Sequence, residues 1–210
     1  TEEAYTLLEV SASQKDKDFI MAVNWKKAEQ YLKEGKAKDM ASEFYHNVYD
    51  ESKHSATSEV LKTVKMLDPK DCPDMIYYIP CPKSPHGADV DPSGEYIVGG
   101  GKLATVIPVF SFSKMLKAIE TKQFDGDVAG IPVIKYEAAL HGEVQKPGLG
   151  PLHTEFDDKG FAYTSMFVSS EVVKWNIKTL EVVDRAASFY SVAHIMIPGS
   201  NTKKPWGKYL

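Results

Sequence analysis

Cysteine is scarce in this 210-residue chain. Cys72 and Cys81 are too few for a disulfide framework and are not spaced as a zinc-type CxxC pair. Basic charge is not in excess: 25 Lys and Arg stand against 29 Asp and Glu, a net charge of −4. The basic stripe expected of a nucleic-acid binder is therefore missing. Long apolar runs are absent too. Met75–Pro80 and Val106–Phe112 fall far short of the roughly 20 residues that a membrane-spanning helix needs, so no membrane insertion is expected. Thr1 opens on a polar stretch, so no signal peptide is expected within these residues. Lys102 follows Gly99-Gly100-Gly101 without the GxxxxGK[ST] spacing of a phosphate loop, so a flexible strand bend is expected there.

What is present is a globular composition, 43% hydrophobic and 26% charged, long enough for one or two domains. Short strand signals dominate: Asp18–Trp25, Met75–Pro80, Tyr96–Val98, Val106–Phe112, Ala162–Val168, Val172–Ile177 and Tyr190–Ile197. Turn residues separate them, as in Asp91-Pro92-Ser93-Gly94, Asp157-Asp158-Lys159-Gly160 and Pro198-Gly199-Ser200-Asn201. This pattern predicts an all-β sandwich, barrel or propeller. Two helical insertions interrupt it. Trp25–Lys38 spaces Trp25, Ala28, Tyr31 and Leu32 as an apolar stripe, and Ser113–Thr121 begins on a residue suited to N-capping. A helical turn is expected near Ser58–Leu67, within the polar stretch Ala41–Pro69, and Lys122–Gly150 reads as a long connection.

An internal repeat favours the propeller. His86-Gly-Ala-Asp-Val-Asp-Pro-Ser-Gly-Glu-Tyr96 aligns with His153-Thr-Glu-Phe-Asp-Asp-Lys-Gly-Phe-Ala-Tyr163: a His, an acidic turn with Gly, then Tyr. A looser third copy runs from His194 to Gly207-Lys208-Tyr209. His86 and His153 are 67 positions apart, and His153 and His194 are 41 apart. The shorter spacing matches a blade of about 40–45 residues and the longer one a blade with an insertion. Equivalent strand starts would bring His86, His153 and His194 together at one end of the axis, where neutral imidazoles suit copper, zinc, iron or nickel. A per-blade packing role explains such histidines equally well, although the Trp-Asp partner of WD40 repeats is missing, since Asn176 follows Trp175. His46, His54 and His141 read as solvated, and Cys72 and Cys81 as buried small hydrophobes or ordinary thiols. Asp89, Asp91, Glu95, Asp157 and Asp158 read as turn acids.

Several longer stretches carry a resemblance: Tyr78-Ile-Pro-Cys-Pro-Lys-Ser-Pro-His-Gly87, Asp91-Pro-Ser-Gly-Glu-Tyr-Ile-Val98, Gly148-Leu-Gly-Pro-Leu-His-Thr154, Val172-Val-Lys-Trp-Asn-Ile177 and His194-Ile-Met-Ile-Pro-Gly199. The sequence resembles the N-terminal seven-bladed propeller of nitrous oxide reductase, of the Sec-exported type, along most of its length. The resemblance implies an all-β fold: a partial seven-bladed β-propeller of three to four blades with helical insertions over residues 1–210, the C-terminal cupredoxin domain lying outside an internal fragment. It implies that His86, His153 and His194 hold a tetranuclear copper–sulfide centre, with a dinuclear copper centre in the missing domain. Calcium is implied at Glu2 and Asp16, near Lys83 and Ser84. The implied activity is reduction of nitrous oxide to dinitrogen and water in the periplasm, in a homodimer supplied by a cytochrome c or cupredoxin, with the fragment inactive alone. The competing expectation is a non-enzymatic propeller scaffold with structural histidines. A haem-dependent propeller enzyme is disfavoured, because CxxCH is missing.

Overall fold

Two aspartates organise the hairpins on which the fold is built. Asp91 accepts hydrogen bonds from the amides of Ser93 (3.2 Å) and Tyr96 (2.8 Å), and Gly94 takes the left-handed conformation the turn requires (φ 78°). Asp157 accepts from the amides of Lys159 (2.8 Å) and Phe161 (2.9 Å), again before a left-handed glycine, Gly160 (φ 87°). The computed structural model describes residues 18–39 and 64–210. They fall into two compact units: residues 18–20, 78–125 and 133–210 in the first, and residues 21–39, 64–77 and 126–132 in the second.

The first unit is built on two four-stranded antiparallel sheets. In one, β5 (Pro85–Val90), β6 (Tyr96–Gly101), β7 (Val106–Ser111) and β10 (Leu140–Gln145) lie in that order. Val90 stands opposite Ile97, Tyr96 opposite Ser111 and Val106 opposite Gln145. In the other, β11 (Pro151–Phe156), β12 (Phe161–Met166), β13 (Glu171–Asn176) and β14 (Val182–Ala187) follow one another, with Phe156 opposite Ala162, Phe161 opposite Asn176 and Glu171 opposite Ala187. β11 packs beside β5 and β6, so the first strands of the two sheets are neighbours. The core lies between the sheets: Val98, Ile107, Val109 and Val144 from one meet Phe156, Met166, Val173 and Trp175 from the other. Also in this unit, Tyr78 of β4 (Ile76–Pro80) pairs in parallel with Val133 of β9 (Ile131–Ile134), and Phe19 of β1 (Phe19–Val23) stacks on Tyr78.

The second unit holds α1 (Trp25–Lys33) and a short pairing of β2 (Lys38–Asp39) with β3 (Lys65–Met66). Asn24 caps the helix by accepting from the Lys27 amide, and left-handed Gly35 follows its end, short of the expected Lys38. Of the expected apolar stripe Tyr31 is buried, with Cys72 and Met75, whereas Trp25 and Leu32 are exposed. The helical turn expected near Ser58–Leu67 lies mostly outside the described residues, and its described end is the strand β3.

α2 (Phe112–Glu120) is capped by Ser111, two residues earlier than the expected Ser113. Ser111 is already extended (φ −106°, ψ 127°), and its hydroxyl accepts from the Lys114 amide at 3.1 Å. Ser113 turns its hydroxyl to Glu95 instead (2.7 Å), as does Ser111 (2.5 Å). These donors hold the Glu95 carboxyl below the ordinary glutamate range. A folded-state pKa below the unfolded one gives stability that is present above the unfolded value and lost as pH falls through the folded one. Glu95→Gln should therefore flatten the acid limb of a melting-temperature profile between about pH 5 and 3. An acid limb as steep as the parent's would show that this cap does not contribute.

The long connection Lys122–Gly150 contains β8 (Phe124–Val128), β9, a short α3 (Tyr136–Ala139) and β10. Tyr190–Ile197, expected to be a strand, forms no sheet, and no third repeat of strands follows His194. The glycine run is no bend either. Gly99, Gly100 and Gly101 are buried in β6, and a Cβ on Gly100 would lie 2.4 Å from the Leu152 carbonyl oxygen. The absence of side chains there permits two backbones to approach.

Candidate metal centre

β5 and β11 each carry a bulge near their start. Pairing shifts register between Pro85 and Gly87, with His86 in between, and between Pro151 and Thr154, around Leu152 and His153. A bulge re-aims the side chains within it, so both histidines leave the simple alternation of their strands. His194 comes from the irregular segment after Ser191. That segment is docked by side chains instead of a ladder: Ser165 Oγ donates to the Ala193 carbonyl, and the amides of Ile195 and Ile197 donate to His153 Nδ1 (3.3 Å) and Glu155 Oε2 (3.1 Å). The Phe156 amide in turn donates to Ser200 Oγ (2.7 Å).

The three rings meet. His86 Nε2 and His194 Nε2 are 2.9 Å apart, and their rings meet edge to face with centroids 5.2 Å apart. His153 stacks on His194, centroids 4.9 Å apart and planes at 21°. Desolvation of the His86 ring lowers its pKa, and the charges of Lys102, His194 and His153 act the same way, favouring the neutral form that ligates metal. As placed, His86 and His194 are at hydrogen-bond spacing and His153 lies face to face with its neighbour. Among the described residues no group of three or more His, Cys, Asp or Glu side chains is arranged to close on a metal ion. The donor set itself, imidazole nitrogens without thiolates, suits copper, zinc, iron or nickel.

Two carboxylates flank His153. Asp89 Oδ1 is 4.0 Å and Glu155 Oε1 3.7 Å from its Nε2. Burial pushes the Asp89 carboxyl up, while the Thr154 amide (2.8 Å from Oδ2) and His153 pull it down. Asp89 lies on β5 and not in the turn expected for it. A signal for both acids was present in the sequence: each stands two residues before the aspartate that closes its hairpin, Asp91 or Asp157. The repeat as aligned on the histidines is out by one position. The Asp91 amide donates to the Tyr96 carbonyl and the Asp157 amide to that of Phe161, so Asp91 matches Asp157, and Tyr96 does not match Tyr163.

His141 is on β10, not in a solvated loop, its Nε2 buried without a hydrogen-bond partner and its ring tilted against Tyr96. Cys72 and Cys81 are buried free thiols, Cys81 pushed up to about 12 chiefly by burial. Glu2, Asp16, His46 and His54 lie outside the described residues. Lys83 and Ser84 are left-handed, and the Ser84 amide donates to Asp18 (2.7 Å). A cavity of about 470 Å³ lined by Asp157, Tyr163, Ile197, Trp206 and Tyr209 includes none of the three clustered histidines.

Four-stranded antiparallel sheets set side by side on their first strands, with His86 and His153 at those strands' bulged starts, make the chain part of an all-β protein of the propeller kind. Its sequence relatives are more specific. It is 36% identical to the nitrous-oxide reductase of Ralstonia nicotianae over 154 residues, covering 68% of this chain and 22% of that protein. With the Cupriavidus necator enzyme it shares 35% over the same length and shares of both chains, and with that of Stutzerimonas stutzeri 39% over 101 residues, covering 48% of this chain and 14% of that one. The chain is related to the nitrous-oxide reductases and spans about a fifth of the length of the first two. No protein-family model matches it. Solved structures align loosely, among them Kuenenia stuttgartiensis hydrazine synthase (12% identity, 51% of this chain and 24% of that one, TM-score 0.38) and the WD40 domain of Toxoplasma gondii coronin (12%, 60% and 27%, 0.39). At those scores they carry no weight. Among the described residues no helix is long and apolar enough to cross a membrane.

Proposed function

We propose that residues 1–210 belong to the copper-binding propeller domain of a nitrous-oxide reductase, and that His86, His153 and His194 are three of the ligands of its tetranuclear copper–sulfide centre. The observation that supports this best is the meeting of the three rings, drawn from β5, β11 and the segment after Ser191, in a chain related to enzymes of that name. The reaction consumes two electrons and two protons and converts nitrous oxide to dinitrogen and water. Copper, when bound, would supply the electrons and the binding of an otherwise inert substrate.

The chain's own residues hold and orient. The bulges of β5 and β11 aim His86 and His153 away from their strands, and Ser165 ties His153 to the His194 segment by bonding the His153 amide (3.2 Å) and the Ala193 carbonyl. The rest of the proposal concerns the whole protein. It is a periplasmic homodimer with a dinuclear copper domain, takes electrons from a cytochrome c or cupredoxin, and binds calcium through Glu2 and Asp16. The test is His153→Ala in the intact enzyme. Lower copper content in the cluster and loss of nitrous-oxide turnover are expected, and normal copper with full turnover would sink the assignment.

A further inference from the structure

Asp89 and Glu155 occupy corresponding places in their hairpins and do the same two things. Each uses one oxygen to hold the backbone of the next segment: Asp89 Oδ2 accepts from the Thr154 amide at 2.8 Å, and Glu155 Oε2 from the Ile197 amide at 3.1 Å. Each turns its other oxygen to one ring, 4.0 and 3.7 Å from His153 Nε2. Those distances are too long for hydrogen bonds, so what reaches the ring is charge. All three side chains are mostly buried, where charge is screened less than at the surface. The Ile195 amide donates to His153 Nδ1, which assigns the proton of the neutral ring to Nε2, facing the two carboxylates.

We infer that Asp89 and Glu155 are positioning residues, a repeated carboxylate clasp that docks each segment on the one before it and fixes the His153 ring against His194. The inference rests on the proposed copper site for its functional half and on geometry for the other. A clasp alone needs only a hydrogen-bond acceptor, which asparagine or glutamine would supply. The carboxylates add negative charge on both sides of Nε2, where it favours one orientation of the ring and the tautomer that leaves Nδ1, now accepting from the Ile195 amide, as the nitrogen with a lone pair for copper.

The experiment uses the intact protein freed of copper and titrated with Cu(II). Affinity and the nitrogen hyperfine pattern are read by electron paramagnetic resonance, and protection of the Thr154 and Ile197 amides by hydrogen exchange. Asp89→Asn should leave Thr154 protected yet weaken Cu(II) binding about 10-fold and alter the spectrum. Asp89→Ala should lose the protection as well. Glu155→Gln should repeat the first result with Ile197, and keeps the test open if an Asp89 variant does not fold. Parent affinity and spectrum in both Asp89→Asn and Glu155→Gln, with binding weakened in His153→Ala, would overturn the positioning role. Unchanged binding in His153→Ala would overturn the copper reading and the positioning role that rests on it. Retained Thr154 protection in Asp89→Ala would overturn the clasp itself.

Discussion

Gly100→Ala is expected to lower the stability of the first unit by about 3 kcal/mol, the upper part of the range for overpacking. The glycine is required for space and not for conformation, since its φ is not in the left-handed region. An added Cβ would meet the Leu152 carbonyl oxygen at 2.4 Å and the Pro151 carbonyl oxygen at 3.2 Å. Both are backbone atoms, so no rotamer change relieves the contact and β11 must retreat from β6. Because Leu152 precedes His153, the same shift carries the stacked ring away from His194. The substitution should thus lower Cu(II) affinity together with the melting temperature, the latter by roughly 6–12 °C for a domain of this size. Gly87→Ala is the control: beyond the residues on either side of it, its Cβ would come no nearer than 4.0 Å to another atom, Asp89 Oδ1. Equal melting temperatures for the two variants would refute the close-approach argument.

Trp175→Ala should cost about 3–5 kcal/mol, the range for removing a buried aromatic from a core. Trp175 is fully buried among residues of both sheets, so the void opens where the sheets meet and neither can close it alone. Its indole Nε1 donates to Thr164 Oγ1 at 2.9 Å, and that hydroxyl is 2.9 Å from Thr154 Oγ1. The chain of bonds ties β13 through β12 to β11. Trp175→Phe separates volume from hydrogen bonding, because it keeps most of the bulk and leaves the buried threonine pair one donor short, a loss of about 1 kcal/mol. Thermal unfolding of both variants measures the difference. A phenylalanine as damaging as the alanine would mean that the polar chain, and not the filled space, dominates.

Features set by local chemistry were legible in the sequence. The hairpins at Asp91 and Asp157 follow from an aspartate with a downstream glycine, and β7, β12 and β13 are short apolar runs between such turns. The edge strand β14 was not legible, because its VVDRAA pattern is mostly exposed and carries charges. β10 was hidden by Gly142, which reads as loop. Tyr190–Ile197 failed in the opposite sense. It is apolar enough for a strand, but its amides are taken by His153 and Glu155 side chains. For the site, the repeat singled out three histidines whose rings meet, but with the wrong register. Aligning on His86 and His153 shifts the turn acids by one, and that shift concealed the matched pair Asp89 and Glu155. The side-chain period of a strand is two, so a slip of one position exchanges its faces. Here a bulge beside each histidine hides the slip, and only the backbone pairing reveals it.

The two sheets reach their fourth strands by different routes. β14 follows β13 after a short turn, Ile177 to Glu181, whereas β10 joins β7 only after residues 112–139, which carry two helices and two strands. Both finish as the same antiparallel arrangement. The extra chain length thus lies between the third and fourth strands of one sheet and not at its first strand. A protein built this way can acquire new surface or a new partner at that connection while His86 and His153, set on the first strands at the opposite edge of each sheet, keep their places.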